Sequence, residues 1–349
     1  MKRLVTLLPA ILSLLLAGCV HKPVRTVAKP EQNGRYVTAF PFHNASDRLE
    51  VITQSVSKLI VVAYYKIYQF DKDDHLNQYS LSTRMLKKNT ASITDTHESI
   101  SGTATLISYD NGKVALLTCA HILDFPDTVI SYFDASQTLS TNEIRSVSIK
   151  VRQENYCRSL PGCGPMNILA MDREADVAII GHTCNEHYQD MKIFGCRAGH
   201  ARELGWGSAA YVIGYPMGNL MVTHGIVSDP NSDESGSFMI DALFNKGFSG
   251  GIILAERDST PNFELVGMVR SAYSRKEYML KPEKEMHEFS YNSNSSYTGE
   301  IRVGTEETIN YGVTYAISIE SLRAFYRKYR AGLIQSGYNL DPFFLAGEK

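Results

Sequence analysis

Asn245-Lys246-Gly247-Phe248-Ser249-Gly250-Gly251 places one serine between glycines, in a short gap between apolar runs. A serine hydroxyl becomes a nucleophile when a tight turn exposes it and backbone N–H groups converge on the developing oxyanion. Glycines permit that turn and the close approach of a substrate. Alone, Gly-x-Ser-Gly-Gly suits any loop between strands. Working outward, its neighbours read as strands: 251–255 and 265–272 after it, and 209–214, 220–227 and 238–242 before it. Farther upstream, 104–108 and 113–118 flank Asp110-Asn111-Gly112 and predict a hairpin. Further candidates are 59–64, 128–133, 147–151, 177–181 and 312–317. Many short β-rich runs with turns between them predict an all-β sandwich or barrel. Only 319–334 shows helical spacing, through Leu322, Phe325, Tyr326, Tyr329 and Leu333, and predicts a C-terminal helix packed on the barrel.

Two more residues bear on chemistry. His121 ends the apolar run Leu116-Leu117-Thr118-Cys119-Ala120-His121, where a lone histidine is more often structural than catalytic. Asp176 enters the apolar run Val177-Ala178-Ile179, where an acid by itself more often caps a turn. Together with Ser249 they change meaning. An imidazole can take the serine proton, and a carboxylate can fix the imidazole's tautomer. A His at a strand end, an Asp at a strand start and a Ser in a glycine turn, in that order, are hard to assemble by chance.

On these residues the chain resembles the trypsin-like serine proteases, most closely the HtrA (Deg) branch, over roughly Val51 to Tyr329. Ser101-Gly102-Thr103-Ala104 is similar to the family's Gly-Ser-Gly segment, and Val212-Ile213-Gly214-Tyr215-Pro216-Met217-Gly218 to its Ile-Gly-x-Pro-x-Gly turn. Val222-Thr223-His224-Gly225-Ile226-Val227-Ser228 resembles its Val-Thr-x-Gly-Ile-Val-Ser strand. Asp241-Ala242 before Asn245-Lys246-Gly247 is similar to the family's run into the nucleophile, and Tyr315-Ala316-Ile317-Ser318 resembles its Phe-Ala-Ile-Pro end strand. The resemblance implies a two-barrel trypsin-like (chymotrypsin) fold with a C-terminal helix. It makes His121, Asp176 and Ser249 the catalytic triad and the N–H groups of Gly247 and Ser249 the oxyanion hole. It also implies substrate binding at Leu243, Arg270 and Ser271, the last two on a strand that pairs with substrate backbone. Leu243 falls where trypsin has its acidic selectivity residue, which implies cleavage after hydrophobic residues. Phe248 departs from the pattern, standing where the digestive enzymes have Asp. Activation by pairing with a newly cut N-terminal amine is therefore not expected, and the direction of the Gly247 N–H is left open.

The chain begins with Lys2-Arg3, an apolar run to Leu16, and Ala17-Gly18-Cys19. This order reads as a secretory signal peptide over 1–18. Leu16-Ala17-Gly18-Cys19 resembles a bacterial lipobox, which implies lipidation of Cys19 and, with Val20 next, an outer-membrane anchor facing the periplasm. Residues 19–44 are polar, with Pro23 and Pro30, and predict a flexible tether. The protease domain is expected over 45–335, with a polar surface insertion at 274–310 and a tail at 336–349, too short for a PDZ domain. Oxidising surroundings predict two disulfides among Cys157, Cys163, Cys184 and Cys196, in any of three pairings, and Cys119 reads as a buried free thiol. His182, Cys184, His187, Cys196 and His200 offer zinc-type ligands, but their spacing fits no common zinc module, and no metal or cofactor is expected. A formal net charge of −2 gives no reason to expect nucleic acid. The expected partners are protein or peptide substrates and the membrane. The competing expectation is a catalytically silent protease fold that binds proteins.

Overall fold

Strands form where apolar and β-branched residues recur, and they assemble into two sheets, antiparallel except for one short parallel pairing in the second. The computed structural model describes residues 34–38, 44–77, 79, 90–133, 143–184, 191–243, 245–258, 262–282 and 301–346. The first sheet holds β1 (Val56–Phe70), β2 (Thr90–Asp110), β3 (Lys113–Thr118), β4 (Thr128–Tyr132), β5 (Ile144–Cys157), β6 (Asn167–Asp172) and β7 (Val177–Thr183). Their order is β4-β5-β1-β2-β3-β7-β6. The predicted hairpin is β2–β3, with Asp110 opposite Lys113. Its two turn residues, Asn111 and Gly112, both have positive φ, which matches the twist of the strands.

The second sheet holds β8 (Arg197–Ala198), β9 (Ala209–Gly214), β10 (Met221–Asp229), β11 (Phe238–Ile240), β12 (Ile252–Glu256), β13 (Phe263–Pro282) and β14 (Ile301–Ser318). Its order is β12-β9-β10-β11-β14-β13-β8, and an added β12–β13 pairing closes six strands into a ring. The central strands β3, β7 and β12 are almost wholly buried, so they read as continuous apolar runs without alternation. Each large apolar side chain buried there contributes about 1.5–3 kcal/mol.

The predicted helix is present as α2 (Ile319–Gln335), after α1 (Ser46–Thr53) and before α3 (Asp341–Phe344). Ser318 caps α2, its hydroxyl accepting the Ser321 N–H at 3.1 Å. Ile319, Leu322, Phe325, Tyr326 and Leu333 are buried, and Arg323 among them donates to the carbonyls of Ala198, Gly199 and Phe344.

Four expectations need correction. Within the expected flexible tether, Tyr36 is buried, bridges to Arg257 and donates to Glu264 at 3.0 Å. An aromatic ring with a hydroxyl handle finds a partner even in a polar segment. The expected insertion at 274–310 begins and ends as β-ribbon, because β13 and β14 pair from Ser274–Ile309 out to Pro282–Ile301. A ladder satisfies the backbone without needing an apolar face, so no alternation announced it; residues 283–300 lie outside the described residues. The expected tail folds back, with Tyr338, Leu340 and Phe344 buried and Phe344 stacked on Tyr326.

The fourth correction concerns the cysteines. One bridge, Cys163–Cys184, is formed in place of the expected two, and Cys157 and Cys196 are free. Cys157 ends β5 opposite Leu59, and burial pushes its thiol up to about 12. Cys196 lies beside Arg48 near α1. Closing a loop of this size stabilises the fold by about 3 kcal/mol. The bridge also removes Cys184 from the zinc-type cluster, of which His187 lies outside the described residues. Cys119 is a buried free thiol, as expected. Residues 1–33, including Cys19, are outside the described residues too. Among the described residues no helix is long and apolar enough to cross a membrane.

Candidate active site

The apolar strand β3 delivers His121 to a short 3₁₀ turn, Ala120–Ile122, at its buried end. Asp176 waits one residue before β7, the neighbour of β3 in the sheet. Its φ of +56° lies in the left-handed region, which Asp and Asn adopt most readily among residues with a Cβ. That conformation turns the carboxylate back onto His121. Asp176 Oδ1 accepts the His121 backbone N–H at 2.9 Å, and His121 Nδ1 lies 3.0 Å from Oδ1 and 2.9 Å from Oδ2. A carboxylate against Nδ1 fixes the proton there and leaves Nε2 able to accept one. Asp176 is 5% exposed, so little water competes for it.

Ser249 reaches the same place from the second sheet. Its turn docks on the first sheet, where the Thr103 N–H donates to the Ser249 carbonyl at 2.9 Å. The neighbouring Gly102 leaves no room for a side chain, since a Cβ there would meet Ile122, next to His121, at 2.4 Å and the Ser249 carbonyl at 3.2 Å. The Val269 carbonyl in β13 joins the two halves, accepting the Gly250 N–H at 2.9 Å and the Cys119 thiol at 3.2 Å. Ser249 is 9% exposed. Among the described residues His121 is hydrogen-bonded to Asp176 alone, and the link from Ser249 to Nε2 is not closed. In resting sites such links are often long and tighten when substrate binds.

The peptide partners around Gly247 bear on the direction of its N–H. The Lys246 carbonyl accepts the Met217 N–H at 2.8 Å, and the Phe248 carbonyl accepts the Gly251 N–H at 2.7 Å. In a trans peptide the N–H points opposite to the carbonyl. The N–H groups of Gly247 and Ser249 are thus turned away from those anchors, without an acceptor among the described residues. Thr103 Oγ1 donates to the Gly247 carbonyl at 2.7 Å and itself accepts the Tyr215 N–H at 2.9 Å. Gly247 has φ +106°, which a side chain would strain. Phe248 is only 1% exposed; its ring lies against Gly214, where a Cβ would come within 2.9 Å of it. The ring is an apolar anchor beneath the turn.

The other expected site residues divide. Arg270 lies beside Asp176, its Nε 3.5 Å from Oδ2. Ser271 follows in β13, opposite Tyr315 in β14. Past Met268, β13 leaves β12, and among the described residues only β14 continues beside it, which leaves an edge for an extended peptide. Leu243 is 64% exposed, an open surface position rather than the floor of an enclosed pocket. Sequence reading missed Thr103 as the tie beneath the turn, although its segment carried the family resemblance.

Cys119, His121 and Asp176 offer donor atoms within 4.8 Å of one another. They make a poor metal site. The Cys119 thiol is buried and already donates to the Val269 carbonyl. The carboxylate is already committed to His121.

Residues 102–268 match the family model of the trypsin-like peptidase domain, within a chain whose two sheets have the architecture of that fold. That segment is a trypsin-like peptidase domain. No curated protein matches the chain. Among solved structures, the HtrA-type protease AlgW with tripeptide is 16% identical with a TM-score of 0.42, the match covering 85% of this chain and 65% of that one. The serine endoprotease from Yersinia pestis is 15% identical with a TM-score of 0.39, over 85% of this chain and 68% of that one. Deg5 is 16% identical with a TM-score of 0.34, over 64% and 84%. The chain thus spans 65% of the length of AlgW.

Proposed function

We propose that the trypsin-like domain is an active serine endopeptidase that works through an acyl-enzyme, with His121, Asp176 and Ser249 as its triad. The observation that carries this reading is the Asp176 carboxylate holding His121 Nδ1 through both oxygens, beside a serine whose turn is tied to the same point. His121 Nε2 takes the Ser249 proton as Oγ bonds to the scissile carbonyl carbon. The N–H groups of Gly247 and Ser249 receive the oxyanion. The imidazolium then returns its proton to the departing amine as the C–N bond breaks, leaving the acyl group on Ser249. Water, deprotonated by the same imidazole, releases the acid and restores the serine. The exposed edge of β13 at Arg270 and Ser271 suits an extended or unfolded substrate. Leu243, although on the open surface, offers an apolar contact to a hydrophobic residue before the cut.

Lipidated Cys19 would tether this enzyme to the cell envelope, at the outer membrane facing the periplasm. Stable anchoring of that kind takes more than one acyl chain. A silent binding module would instead need a collapsed nucleophile turn, and the anchored peptides around Gly247 and Phe248 weigh against one.

Incubation with an unfolded protein such as casein, followed by sequencing of the new termini, tests the reading. Cuts predominantly after hydrophobic residues, lost in Ser249→Ala, are the expected result. An intact substrate with well-folded protein would overturn it.

A further inference from the structure

Among the described residues, one charged side chain outside the triad contacts it. Where β13 passes the site its register against β14 slips: Val269 faces Ala316 and Ser271 faces Tyr315, which leaves Arg270 as the extra residue of a β-bulge. Bulges re-aim a side chain, and this one sends the guanidinium to Asp176. Arg270 Nε lies 3.5 Å from Oδ2, the oxygen that also lies 2.9 Å from His121 Nδ1. Arg270 also lines a cavity of about 670 Å³, together with Glu174, Tyr315, Phe325 and Lys328.

We propose that Arg270 is a positioning residue of the triad, held by the bulge so that its guanidinium fixes Asp176 Oδ2 against His121. This rests on the reading of the domain as an active peptidase. Without the guanidinium, the Asp176 carboxylate keeps, among the described residues, the two donors of His121 and loses the cation beside Oδ2.

The other groups around His121 do not supply this charge. Cys119, from the end of β3, is a neutral thiol. Arg173 is paired with Asp124, and Lys328 of α2 with Asp172 across the cavity. Glu174 also lines the cavity and carries the opposite sign.

The test is the rate at which a fluorophosphonate modifies Ser249 as a function of pH, in wild type, Arg270→Gln and Arg270→Lys, with melting curves as the folding control. Arg270→Gln is expected to slow the plateau several-fold per folded molecule. Arg270→Lys, which can still place a cation beside Oδ2, is expected to recover most of the wild-type plateau. A purely structural role would scale the rate with the folded fraction alone, so equal plateaus per folded molecule in wild type and Arg270→Gln would overturn the proposal. Wild type that is unreactive at every pH would instead overturn the peptidase reading on which the proposal rests.

Discussion

Asp176→Asn is expected to lower turnover about 10⁴-fold while leaving the fold intact. The backbone at this position has φ +56°, and asparagine adopts that conformation as readily as aspartate. The amide oxygen can still accept the His121 backbone N–H that Asp176 Oδ1 accepts now. The other half of the side chain becomes an NH₂ group facing His121 Nδ1, in place of a carboxylate oxygen 2.9 Å away. A donor there forces the proton onto Nε2, the atom that must take the proton from Ser249. The chemistry fails while the geometry survives. Steady-state hydrolysis of an unfolded protein, with a melting curve for each protein, measures both halves of this statement. A loss of less than about tenfold would mean that Asp176 does not set the tautomer.

The second large effect is expected at Phe248. Trypsin-like digestive enzymes resemble this chain in the turn but carry an acid at that position. Here the turn stands on a phenyl ring that is 1% exposed and packed against Gly214. Truncating a buried Phe to Ala removes its transfer free energy and leaves a cavity, a loss of about 3–5 kcal/mol. The ring also precedes Ser249 directly, so its loss frees the two peptides whose N–H groups would hold the oxyanion. Phe248→Ala is expected to lose a further 10²- to 10³-fold in turnover per folded molecule, roughly the effect of one missing oxyanion donor. Phe248→Leu keeps an apolar anchor and should retain most of both. Denaturant titration gives the stability, and activity normalised to the folded fraction gives the rest. Full activity per folded molecule in Phe248→Ala would show that Thr103 and Met217 hold the turn without the ring.

How much of this was legible in the sequence follows from what each feature depends on. The triad candidates were legible because the chemistry demands particular residue types at strand ends and in a glycine turn. The barrel strands were legible where burial is one-sided or complete. β13 and β14 outran their expected bounds because a two-stranded ribbon needs only backbone partners. Tyr36 was hidden because its partners, Arg257 and Glu264, lie far along the chain. The same reason hid Thr103, whose hydroxyl links Gly247 and Tyr215, and Arg270, which meets Asp176 only through a bulge. Phe248 posed a question that the sequence could raise but not resolve. Its answer depends on Gly214, thirty-odd positions upstream, leaving room for the ring.

The central claim is that Ser249 is an activated nucleophile. Its most direct test is labelling of the folded protein, residues 20–349, with a fluorophosphonate probe beside its Ser249→Ala counterpart, followed by peptide mapping. The account predicts a single covalent adduct on Ser249 in the unsubstituted protein and none in the variant. Well-folded protein that stays unlabelled, or an adduct that persists in Ser249→Ala, would contradict it.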